Sequence, residues 1–127
     1  MLSFEGFCLL PGEPIYLQIL RHIKRGAAAG TVRDGDELPS RRVLSALLGV
    51  NPNTVQKAYR LLEEEGLIAS HSGAKSYMVL PEATRARIRQ ELLAQDMRSL
   101  IDAMRSMGLT QEEAAVLLGR LWEEEEQ

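Results

Sequence analysis

The stretch Leu48-Gly49-Val50-Asn51-Pro52-Asn53-Thr54-Val55-Gln56-Lys57-Ala58-Tyr59-Arg60-Leu61-Leu62-Glu63-Glu64-Glu65-Gly66 decides the fold. Gly49 breaks the helix before it. Asn51 is an N-cap, its side-chain oxygen able to accept from free amides of the first turn, and Pro52 suits the first helical position, where its missing N–H costs nothing. Val55, Ala58, Tyr59 and Leu62 then recur at i, i+3, i+4 and i+7, which is one buried stripe of an amphipathic helix. Gly66 closes that helix. With the stripe turned inward, the opposite side presents Asn53, Gln56, Lys57 and Arg60.

Working outward, Ser40 caps a short helix whose expected core face is Val43, Leu44, Leu47 and Leu48. Further upstream, Pro11-Gly12 is a turn and Pro14 is expected at the first position of another helix. There Ile15, Ile19, Ile23 and Ala27 recur every four residues with Tyr16 and Leu20 beside them. Gly26 and Gly30 bracket its end, and Asp34-Gly35-Asp36 is a turn. The alternation of small and apolar residues in Met1–Leu9 predicts a short edge strand. Downstream the period changes: Leu67–His71 and Ser76–Leu80 are two short strands around Ser72-Gly73-Ala74-Lys75, a hairpin that ends at Pro81. Three helices and a hairpin, with a tight turn between the second and third helices, make a winged helix-turn-helix over residues 1–80.

Residues 81–127 read as two helices. In the first, from about Glu82 to Met107, Leu93, Met97, Leu100, Met104 and Met107 step by four and three with Ile88, Leu92 and Ile101 on the flanks, a seam suited to another helix. Gly108 stops it. Thr110-Gln111-Glu112-Glu113 is a capping box for the last helix, whose stripe is Ala114, Leu117, Leu118, Leu121 and Trp122. The candidate dimerisation residues are therefore Leu93, Met97, Leu100, Ile101, Met104, Leu117, Leu118, Leu121 and Trp122. The expected fold is mainly α with a small β-hairpin, a winged helix-turn-helix followed by a short two-helix dimerisation segment.

Composition bounds the function. The 127 residues are 45% hydrophobic and 26% charged, an ordinary globular mix. No apolar run reaches the roughly 18–20 residues that span a bilayer. The N-terminus shows no basic-then-apolar leader, so a cytoplasmic location is expected. One cysteine and two histidines leave little to build a metal site from, and no cofactor is expected. Cys8 is expected as a packed small hydrophobe and His22 as a rim residue rather than a base. No nucleophile motif or phosphate-cradling glycine loop is present, which argues against an enzyme.

The net charge of −3 is unevenly spread. Residues 81–127 hold six Lys/Arg against ten Asp/Glu, whereas residues 38–62 contain no acid and four bases, Arg41, Arg42, Lys57 and Arg60. A locally positive segment in an acidic chain is what a phosphate-binding face requires. Asn and Gln can pair with an adenine edge, while Lys and Arg suit guanine or phosphate. Helix N-termini such as those after Ser40 and Asn51 favour an anion, and Arg41 and Arg42 stand beside one of them. The rival reading is a winged helix that binds protein and has abandoned DNA; the acidic overall charge favours it, and the basic stretch and polar helix face oppose it.

Five pieces in register carry a family resemblance: Pro14-Ile15-Tyr16-Leu17-Gln18-Ile19, Leu38-Pro39-Ser40-Arg41-Arg42, Leu48-Gly49-Val50-Asn51-Pro52-Asn53-Thr54-Val55, Ala58-Tyr59 and Glu65-Gly66-Leu67-Ile68. Over residues 14–79 the chain resembles the GntR family of bacterial transcription regulators, and its short helical tail resembles the YtrA subfamily. The resemblance implies a homodimer on a near-palindromic duplex DNA operator, usually a repressor, often beside genes for an ABC transporter. By position it assigns DNA contacts to Ser40 and Arg42, to Asn51, Asn53, Thr54 and Gln56 of the recognition helix, and to His71, Gly73 and Lys75 of the wing. Two departures stand out: Pro52 occupies a position that is often basic, and the wing lacks a second glycine, so Lys75 is expected on a phosphate rather than deep in the minor groove. A small-molecule effector has room only between the two parts or in the dimer groove, and nothing in the sequence names one.

Overall fold

The computed structural model describes residues 2–71 and 75–126. The elements are α1 (Ile15–Ala29), α2 (Arg41–Leu48), α3 (Pro52–Glu64), β1 (Ile68–His71), β2 (Lys75–Met78), α4 (Glu82–Ser106) and α5 (Gln111–Glu126). They form two compact units, Met1–Gln90 and Glu91–Gln127.

The first unit is built on α3. Val55, Ala58, Tyr59 and Leu62 are all buried, as their spacing predicts, and α3 packs against both α1 and α2. From α1 the core receives Ile19, Ile23 and Ala27, from α2 Leu44, and from the hairpin Ile68 and Met78. Burial of each large aliphatic side chain stabilises by about 1.5–3 kcal/mol. Gly49 ends α2 in the left-handed conformation, φ 68°, and permits the tight turn into α3. Gly26 serves a different need: a Cβ there would clash with the Val32 side chain, so the chain leaving α1 folds back over a glycine.

Strands β1 and β2 are antiparallel, with Ile68 opposite Met78 and His71 opposite Lys75. The outer edge of β2 is not open. Leu38 N donates to Ser76 O at 2.9 Å and Met78 N to Asp36 O at 2.8 Å, while Leu2 N donates to Glu37 O at 2.8 Å. Sheet edges left unpaired invite association, and here a loop covers the edge.

The first turns of α4 belong with this unit although Pro81 precedes them. Ile88 is buried. Leu80 N donates to Asp34 Oδ1 at 2.7 Å, and Arg85 donates to the Ala27 and Ala28 carbonyls at 3.1 and 3.2 Å. α1 has no basic residue in its own last turn; Arg85 supplies the cation that a helix C-terminus favours. In the second unit, Thr110 N donates to Glu113 Oε1 at 3.1 Å and Glu113 N to Thr110 Oγ1 at 3.2 Å, the reciprocal capping box expected from the sequence. No helix among the described residues is long and apolar enough to cross a membrane.

Four expectations are corrected. Met1–Leu9 forms no strand among its described residues, because Gly6 at φ 77° and the Phe7 N to Phe4 O bond turn the chain. Its aromatic residues instead clasp His22, whose Nε2 lies 2.9 Å from Ser3 O, with ring centroids 4.6 Å from Phe4 and 5.0 Å from Phe7. Pro14 is the N-cap of α1, one position earlier than expected. On α2, Val43 and Leu47 are exposed while Ser45 is buried beside Leu44, because so short a helix meets α3 along a narrow stripe. Cys8 is exposed rather than packed.

Tyr59 is 1% exposed and its hydroxyl donates to the Pro39 carbonyl at 2.6 Å. Burial raises its pKa above the usual tyrosine range, although the Arg41 charge opposes that rise. Above about pH 10 the unfolded chain gives up this proton while the folded chain keeps it, so the unfolded state binds fewer protons and stability falls with rising pH. The expected slope for this one group is about 1.4 kcal/mol per pH unit. Urea denaturation between about pH 8 and pH 11 is expected to show a steeper alkaline decline for the native chain than for Tyr59→Phe. At the lower pH that variant loses about 1–3 kcal/mol through the unpaired carbonyl.

Candidate nucleic-acid interface

Helix α3 separates its two faces as the sequence predicts: Asn53, Gln56, Lys57 and Arg60 are exposed, opposite the buried stripe, and Thr54 is half-buried at the margin. Neither α2 nor α3 carries an acidic residue in its first turn. Arg41 and Arg42 instead occupy the first two positions of α2. Cations there oppose the helix dipole, a local cost that a bound anion would offset.

Ser40 and Asn51 turn out to be occupied within the fold. Ser40 Oγ accepts from Val43 N at 3.1 Å, and Asn51 Oδ1 accepts from Asn53 N at 2.8 Å. Their side-chain oxygens hold the two helix starts in place, which is the capping role their residue types indicated.

The cations differ in how they are held. Arg42 is exposed. Arg41 is half-buried, with its guanidinium carbon 5.5 Å from the Tyr59 ring centroid and its Nε buried without a hydrogen-bond partner among the described residues. Lys57 Nζ stands 4.0 Å over the ring of Tyr16 on α1. Arg60 Nε lies 4.0 Å from Glu64 Oε1, and Lys75 Nζ lies 3.9 Å from Glu37 Oε1. Of the other wing candidates, His71 pairs with Lys75 at the last rung of the hairpin, and Gly73 lies outside the described residues.

In the second unit, Leu93, Met97, Leu100, Ile101, Leu118, Leu121 and Trp122 are exposed large hydrophobics, and Met104 and Leu117 are half-buried. Among the described residues no group of His, Cys, Asp and Glu side chains could hold a metal ion.

Sequence reasoning did not single out Tyr16, Tyr59 or Glu37 as partners of the cations. No local signal marks them, because each reaches its partner from a different element of the fold.

Residues 15–77 match the model described as "Bacterial regulatory proteins, gntR family". Over 85 residues the chain is 39% identical to the HTH-type transcriptional repressor YtrA of Bacillus subtilis, covering 62% of this chain and 65% of that protein, just under two thirds of its length. It is 30% identical over 101 residues to the HTH-type transcriptional regulator YhcF of the same organism, covering 80% of this chain and 84% of that one. Its fold resembles that of a GntR family transcriptional regulator from Listeria monocytogenes, with TM-score 0.80, 29% identity, and 88% and 98% of the two chains covered.

The capping bonds yield a direct expectation. Ser40→Ala and Asn51→Ala should each lower stability by about 0.5–2 kcal/mol in thermal melts. Asn53→Ala, on the exposed face, should stay within about 0.5 kcal/mol of the native chain.

Proposed function

The chain belongs to the gntR family of bacterial regulatory proteins, and we propose that it acts as a repressor, binding a near-palindromic operator as a homodimer. Members of this family are non-enzymatic, DNA-binding transcriptional regulators. The observation that carries the proposal is the exposed face Asn53, Gln56, Lys57 and Arg60 on α3, in an acid-free stretch that also holds Arg41 and Arg42.

In this reading α3 enters the major groove. Asn53 and Gln56 read base edges there, while Lys57, Arg60, Arg41 and Arg42 meet phosphates. Ser40, Asn51 and Thr54 set the helix starts against the backbone, and His71, Gly73 and Lys75 of the wing reach the flanking duplex. Lys75 must leave Glu37 to do so, a cheap exchange for so exposed a pair.

A second copy covers the apolar faces of α4 and α5. Two-fold symmetry then sets half-sites about 34 Å, or a multiple of that, apart. A single module buries too little surface for tight operator binding, so pairing is what gives affinity. Occupancy of such a site excludes transcription from the overlapping promoter. The likeness to the YtrA type makes genes for an ABC transporter the first targets to test.

The primary test is fluorescence anisotropy against the promoter of the protein's own operon, titrated over several salt concentrations with random duplex as competitor. Selective binding with a steep salt slope supports the regulator. Unselective or absent binding by a dimer leaves two readings: an effector required for DNA binding, or a winged helix that binds protein.

Two substitutions separate the roles on the DNA face. Arg42→Ala should weaken specific and random duplex alike and flatten the salt slope by about 0.9 for each phosphate no longer neutralised. Gln56→Ala should relax preference at one base position, at about 1–3 kcal/mol, and leave random-duplex affinity nearly unchanged. For the dimer, Leu100→Glu combined with Met104→Glu should sediment as a monomer. A dimer surviving that double change would place the interface elsewhere.

A further inference from the structure

Cations in this domain are held in two chemically different ways. Arg60 and Lys75 lie within salt-bridge distance of Glu64 and Glu37. Lys57 and Arg41 lie over tyrosine rings, Lys57 on Tyr16 and Arg41 on Tyr59. Among the described residues no carboxylate comes within salt-bridge distance of Lys57. A carboxylate that restrains a cation also cancels its field, and a phosphate has to displace it. The face of an aromatic ring attracts the cation through its quadrupole and leaves the net charge intact.

We propose that Tyr16 is a positioning residue for DNA binding, one that restrains the Lys57 ammonium on the exposed side of α3 while leaving its charge for a phosphate. The proposal rests on the DNA-binding reading above and adds a residue of α1 to it. A free lysine side chain surrenders much of its rotamer freedom when it meets a phosphate. Held on the ring beforehand, Lys57 has less to lose, which is affinity gained by preorganisation. Tyr59 serves Arg41 in the same manner, but Tyr59 is core, and changing it also costs stability through its buried packing. Tyr16 is only half-buried, which makes it the tractable member of the two. Because a phosphate is present at every sequence, the effect extends to duplex of any sequence.

The test uses the full chain and a labelled random-sequence duplex, so that no operator need be known. Anisotropy titrations at several salt concentrations compare the native chain with Tyr16→Phe, Tyr16→Leu, Lys57→Ala and Tyr16→Leu/Lys57→Ala. Thermal melts confirm that each is folded. Tyr16→Phe keeps the ring and should bind within twofold of the native chain. Tyr16→Leu keeps the apolar bulk but not the quadrupole, and should weaken binding about two- to fivefold per site, with the salt slope preserved because the lysine remains. In the Lys57→Ala background, Tyr16→Leu should have no further effect.

Native-like binding by Tyr16→Leu would overturn the proposal. So would an equal loss in Tyr16→Phe, which would assign the effect to the hydroxyl, or the same loss with and without Lys57, which would assign it to packing. If the native chain binds no duplex even at low salt, the DNA-binding reading itself falls and this proposal with it; in every other outcome that reading stands and only the role of Tyr16 is decided.

Discussion

A single buried phenol organises the helix pair α2 and α3. Tyr59 lies on the inner stripe of α3, and its hydroxyl reaches back to the carbonyl of Pro39, the residue before the cap of α2. In a dry core that oxygen has no water to turn to, so the bond is costly to break and has one geometry. It ties the beginning of the second helix to the middle of the third, and the turn through Gly49 closes the other end. The angle between the two helices is therefore fixed at both ends. The same ring meets the Arg41 guanidinium, so one side chain sets both the helix pair and a cation at its entrance.

Electrostatics follows from that arrangement. An acidic chain can present a positive face only by keeping carboxylates sparse on it; residues 38–62 contain none, and Glu64 and Glu37 meet Arg60 and Lys75 from outside that stretch. The acids that follow, Glu63 to Glu65, stand at the far end of α3, where Glu65 meets Lys24 of α1 at 2.9 Å. Charge is thus sorted along one helix. Its beginning is left to cations and amides, and its end is tied to the neighbouring helix by an ion pair.

What was legible in the sequence was local and periodic. The stripe Val55, Ala58, Tyr59, Leu62, the Asn51 and Ser40 caps and the Thr110–Glu113 box depend on spacings within one or two turns, and each stands where the residues placed it. The α2 core face was misread because its two turns offer several apolar residues, and the partner helix decides which of them are covered. The N-terminal segment was misread because alternation alone cannot tell a strand from a loop that buries Leu2 and Phe4 and turns at Gly6. Of the proposed DNA face, the exposed residues of α3 could be read from the helical period. The tyrosines beneath the cations could not, since contacts between α1 and α3, or between α2 and α3, exist only once the chain has folded.

The hold of Arg85 on the α1 carbonyls has a bearing on how the chain can be divided. Pro81 looks like a natural place to cut, since the hairpin has ended and a new helix begins. A chain shortened there would strip the last carbonyls of α1 of their cation and uncover the core against which Ile88 is buried. The smallest piece that keeps the proposed recognition surface intact therefore runs into the third turn of α4, whose first residues belong to the first unit.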